Sequence, residues 1–127
     1  MHLYLAPTFD HGASLARNLT DRERAERLST KDRNRTVAAF AERGRSALYA
    51  TGTDTRSLGT LDAFVAFADR SPTARHAWFE RLLAVNPSNV SSILERVPSD
   101  RMSPVCKEFT LALLNENQRR LLETTNL

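Results

Sequence analysis

With a single cysteine, Cys106, the chain cannot close an internal disulfide, and no Cys or His spacing around it matches a zinc site. Cys106 is expected to be a small apolar residue and not a reactive thiol. The three histidines, His2, His11 and His76, show no HExxH-like spacing, and no paired carboxylates accompany them, which disfavours an independent metal-dependent hydrolase. No apolar run approaches the roughly 20 residues that span a bilayer, so no membrane association is expected. The opening residues lack the basic segment and apolar stretch of a secretory signal, and the expected location is the cytoplasm. There is no low-complexity tract and no repeat period.

What is present suits one folded domain over residues 1–127. Apolar residues make up 41% and charged residues 26% of the chain, an ordinary balance for a globular protein. The net charge of +3 is concentrated between Arg17 and Arg35, where seven basic residues (Arg17, Arg22, Arg24, Arg27, Lys31, Arg33, Arg35) face four acidic ones. Such a segment can meet an acidic protein or nucleic acid. The i, i+4 spacing of Arg22 with Glu26 and of Glu23 with Arg27 favours solvated helix-face pairs instead, so direct nucleic-acid binding is not the leading expectation.

Helical punctuation dominates. Thr20-Asp21-Arg22-Glu23 forms a capping box, predicting a short helix that ends near Leu28. Val37, Phe40, Ala41, Ala47 and Leu48 suggest an apolar stripe on a longer helix from about 31 to 49, weakened by Gly44. Residues 50–59, ATGTDTRSLG, read as a loop. Thr60 or Ser57 can cap the next helix, through about Asp69, with Leu61, Phe64, Val65 and Ala68 on one side. Ser71-Pro72, Asn86-Pro87 and Ser103-Pro104 each place a side-chain acceptor before a proline at the first helical position. The three helices they start carry Trp78, Phe79, Leu82 and Leu83, then Val90, Ile93, Leu94 and Val97, then Val105, Phe109, Ala112, Leu113 and Leu121 as their inward residues. The expected fold is mainly α, a bundle of about six helices behind one short N-terminal strand, Leu3 to Ala6. That strand has no obvious ladder partner within the chain.

Asp10 follows this strand and is itself followed, after His11, by Gly12. A carboxylate on a turn just past a strand is one way to present a hard oxygen to Mg²⁺ held by nucleotide phosphates. Aspartate in an ordinary turn also bonds its own backbone, so the local pattern leaves both roles open.

The stretch LYLAPTFDHGASLARNLTDRERAERL resembles the C-terminal part of the HipA-like serine/threonine kinases, whose strand-then-APxYD segment carries the metal-binding aspartate. LSTKDRNRTVAAFAERGRSALY and RMSPVCKEFTLALLNENQRRLL look like that family's helical C-terminal region, so the resemblance covers nearly the whole chain. Its specific part is residues 5–18. The resemblance implies that Asp10 is a Mg²⁺ ligand, with Phe9 where the family often has tyrosine, and that the fold is the family's C-terminal helical lobe. It implies no catalytic role for His11, which is expected to be a hydrogen-bonding loop residue.

Phosphoryl transfer also needs a loop over the phosphates, a lysine reaching them, a base-positioning aspartate and a second metal ligand. None is identifiable here, and in the family these features lie N-terminal to the segment resembled. The chain is therefore expected to be inactive alone, using Mg²⁺ and ATP only when completed by an N-terminal kinase half. Its expected partners are that half or an antitoxin-like protein. The alternative expectation is a helical interaction module of a toxin–antitoxin system that meets its partner through the Arg17–Arg35 segment.

Overall fold

In the computed structural model, residues 14–124 are described. The strand expected at Leu3 to Ala6 lies outside the described residues, as does Asp10. Within them the chain folds as six α-helices and one 3₁₀ turn, with no strand beyond an isolated antiparallel bridge between Arg45 and Gly59.

The capping box forms as its sequence dictates. The Thr20 N–H and hydroxyl both donate to Glu23 Oε2 at 2.7 Å, and the Glu23 N–H returns a bond to Thr20 Oγ1 at 3.3 Å. Helix α1 accordingly runs Asp21–Ser29. A 3₁₀ turn, Arg33–Arg35, leads to α2, Val37–Glu42, where Thr36 Oγ1 accepts from the Ala39 N–H.

The single long helix expected over 31–49 is therefore replaced by this turn and a helix of six residues. Thr36, a β-branched capping residue, starts α2 late, and Gly44 ends it early. A Cβ on Gly44 would meet the Ala41 carbonyl at 3.1 Å and Thr60 Oγ1 at 3.2 Å, so the close approach of α2's end to the start of α3 is tight for any larger residue. From there the chain turns away. The Ser46 N–H donates to the Leu58 carbonyl and the Thr60 N–H to the Gly44 carbonyl, closing a loop longer than the expected 50–59 and leaving Ala47 and Leu48 exposed.

Helix α3, Thr60–Ala68, is capped by Gly59 in place of Ser57 or Thr60. The Asp62 carboxylate would lie 2.7 Å from a Cβ at residue 59, so a larger residue there would have to turn that side chain aside. Helices α4 (Pro72–Leu83), α5 (Pro87–Glu95) and α6 (Pro104–Glu123) start at the three proline caps. Asn86 and Ser103 accept the expected backbone N–H groups, whereas Ser71 makes no side-chain cap bond.

Helix α6 is the hub, with α1, α2, α4 and α5 packed around it and α3 resting on α4. Its Phe109 is completely buried and meets Phe40 of α2 edge to face, with ring centroids 5.7 Å apart. Ala41 and Leu113 complete this core, against which Ala16, Leu19, Leu28 and Val37 also pack. Cys106, in the first turn of α6, is half-buried. Next to it, Lys107 Nζ donates to the Val97 and Glu95 carbonyls at 2.5 and 3.3 Å, satisfying the end of α5.

Candidate functional site

The chain downstream of Asp10 enters the described structure through a tight turn. Leu15 and Ala16 both have φ of 58°, a left-handed backbone that costs an L-residue about 1–2 kcal/mol. Two such residues in succession persist only where surrounding structure holds them. Here the hold is visible. The Leu19 N–H donates to the Ala16 carbonyl at 3.0 Å, and Ala16 and Leu19 pack on the Phe109 core.

Arg24 supplies a second tie from α1. Its Nη2 donates to the Ala16 carbonyl at 3.3 Å and its Nη1 pairs with Asp21 at 2.7 Å, with the residue only 8% exposed. Its Nε is buried without a partner among the described residues. The Ser103 hydroxyl at the cap of α6, and then Arg24, hold the Asp21 carboxyl below its usual range. The N-terminal ends of α1 and α6 thus converge, and Arg24 ties them to the Leu15–Ala16 turn.

The basic segment does not form one cationic face. Arg24 is buried, and Arg35 pairs with Glu26 at 2.5 Å. Arg27 stacks over the Phe40 ring at 4.9 Å and donates to the Arg35 carbonyl. The expected helix-face pairing is rearranged accordingly: Glu26 turns to Arg35, and Glu23 serves the capping box, whose Thr20 groups lower its pKa. Arg17, Arg22, Lys31 and Arg33 remain exposed.

Two other charged regions are present. Arg43, Arg45 and Arg56 line an open hollow of about 720 Å³ together with Glu42 and Tyr49. On α6, Arg119 bridges Glu116 at 2.8 Å and also pairs with Glu123, which lowers the Glu116 pKa and raises that of the guanidinium. Among the described residues no group of three or more His, Cys, Asp or Glu side chains could hold a metal ion; Asp10 lies outside them. No helix among them is long and apolar enough to cross a membrane.

Trp78 and Leu83, expected in the core, are 53% and 66% exposed. A helix in contact with its neighbours along one side buries one stripe, and in α4 that stripe runs through Arg75, Phe79 and Leu82. Trp78 instead edges an apolar cleft with Phe64 and Val85, a surface that sequence spacing did not reveal because it assigned both adjacent aromatics inward. Comparison of the chain with protein-family models, with curated proteins and with solved structures gives no match.

Proposed function

We propose that this chain is the helical C-terminal subdomain of a HipA-like serine/threonine kinase, in which Asp10 binds the Mg²⁺ ion that accompanies ATP. The observation that carries this proposal is the stretch LAPTFDHGASLARN, residues 5–18, with its acidic residue on the loop of an APxYD-like segment. The start of the described chain supports this reading. The backbone only six residues beyond Asp10 is pinned to α1 and α6 through Ala16, Leu19 and Arg24, so a carboxylate on that loop would start from a rigid base.

One carboxylate holds Mg²⁺ weakly, because this ion keeps several waters and completes its site with substrate phosphates. When bound, it would neutralise charge developing on the transferred phosphoryl group. Asp10 would fix its position, and the base and the remaining ligands would come from the nucleotide-binding part of the kinase.

Calorimetry with Mg-ATP tests the proposal directly. The purified chain is expected to give no binding heat, whereas its complex with the nucleotide-binding part should transfer the γ-phosphate to serine or threonine. Asp10→Asn should abolish that transfer without altering the helical circular dichroism. Micromolar Mg-ATP binding by the chain alone, or full activity of the Asn variant in the complex, would overturn it.

A further inference from the structure

We propose that the cleft between α4 and the C-terminal turns of α6 is a docking groove for an acidic amphipathic helix. This does not rest on the kinase proposal, because it concerns a different face and a different kind of ligand.

The floor of the groove is an edge-to-face pair, Phe64 of α3 and Phe79 of α4, with centroids 5.9 Å apart, together with Leu82 and Leu121. Trp78 and Val85 form its rim, 53% and 44% exposed. The hollow so enclosed has a volume of about 310 Å³. A second hollow of about 310 Å³ shares Phe64 and Leu121 with the first and continues past Asn117 to Arg120. A contiguous apolar trough of this kind, unlike the exposed hydrophobic residues scattered elsewhere on the chain, marks an interaction site.

Charge selects the occupant. Neither hollow has an aspartate or glutamate in its lining, and each has one arginine, Arg81 in the first and Arg120 in the second. Among the described residues neither makes a direct ion pair: Arg81 lies over the Trp78 ring at 5.5 Å, and Arg120 stands between the trough and a neighbouring hollow lined by Glu42, Glu116 and Glu123, where its charge helps to lower the Glu116 pKa. The trough thus presents an apolar floor with a cation in each half, which complements apolar residues flanked by carboxylates.

Backbone chemistry selects the conformation. The walls are helices whose main-chain groups bond within themselves, so an extended peptide would lay its own amides on apolar side chains without partners. A helix satisfies its backbone internally and can present apolar residues at i, i+3, i+4 and i+7. A fatty acid has one charged head for two separated arginines, and an open trough cannot enclose its chain.

The groove is also preformed. Gln118 Nε2 donates to the Leu82 and Val85 carbonyls at 2.7 and 3.1 Å, clamping the end of α4 to α6. Arg75 pairs with Asp69 at 2.6 Å and donates to the Thr124 carbonyl at 2.5 Å, clamping the α3–α4 turn to the end of α6. Little ordering is left to oppose binding.

Trp78 is the only tryptophan, so its emission reports the groove directly. The probe is a synthetic peptide of about 16 residues, long enough for four helical turns, with leucine at i, i+3, i+4 and i+7 and glutamates at both ends. It should shift Trp78 emission to the blue, saturably. Arg81→Glu or Arg120→Glu should each weaken it about two- to fivefold or more at low salt, as loss and reversal of an exposed charge contact implies. Val85→Asp should weaken it at least tenfold, while the helical circular dichroism of each variant is retained. The Arg81→Glu/Arg120→Glu double variant should come to prefer the same peptide with lysine ends. No shift with the glutamate peptide, equal binding of both peptides by the unaltered protein, or saturation by laurate but by neither peptide would overturn the proposal.

Discussion

Truncating Phe109 to alanine should remove most of this protein's stability. Phe109 is 0% exposed and lies where α6 meets α2 and the Ala16–Leu19 segment. A fully buried phenylalanine withdraws about 150–250 Å² from water, worth about 4–6 kcal/mol as an upper bound at ~25 cal/mol per Å². Measured Phe→Ala changes in cores cost about 3–5 kcal/mol, so about 4 kcal/mol is expected here, including the lost edge contact with Phe40. Three of the six buried apolar residues among the described ones are alanines, which places the total stability at the low end for this length, about 6 kcal/mol. Urea denaturation followed by far-ultraviolet circular dichroism should then show a midpoint lower by about 2–3 M with an unchanged slope. Phe67→Ala, at a position 62% exposed, is the control and should cost less than about 0.5 kcal/mol. A Phe109→Ala penalty below about 1.5 kcal/mol, or one equal to that of the control, would refute the assignment of the core.

Leu15→Gly should stabilise the fold by up to about 1 kcal/mol and raise the thermal midpoint by a few degrees, because it removes a left-handed L-residue at an exposed position; a lowered midpoint would mean that the turn is not strained. Arg24→Ala should cost about 2 kcal/mol by urea denaturation, since it removes the buried stem, one of the two donors to the Ala16 carbonyl and the ion pair with Asp21, and Arg24→Met should cost distinctly less because it keeps the stem. Asp21, Glu23 and Glu116 all have lowered pKa values, so their contribution is complete above the ordinary carboxylate range and is lost as the pH falls through that range and below it. The thermal midpoint should therefore hold between about pH 7 and 5 and fall below that, less steeply in Thr20→Ala and Arg119→Ala; a midpoint that stays level to about pH 3 would contradict these pairings.

Much of the helical outline was legible in the sequence. Thr20 with Glu23 and the prolines at 72, 87 and 104 act over a single turn of backbone, and the helices begin where those residues place them. The role expected of Asp10 rests on resemblance alone, and that residue lies outside the described ones. The contacts between helices were decided elsewhere. Whether α2 continued past Gly44 depended on how closely α3 approached, and Thr60 lies 16 residues beyond Gly44, outside the reach of any local signal. Glu26 chose Arg35 over Arg22 because the 3₁₀ turn swings residue 35 back along α1. Trp78 and Phe79 are adjacent and equally apolar, yet only Phe79 faces α3. Capping and turn chemistry are short-range, so composition along the chain determines them by itself. Selection of a buried stripe, of an ion-pair partner or of an open groove depends on which surfaces meet in three dimensions, and only tertiary packing brings those together.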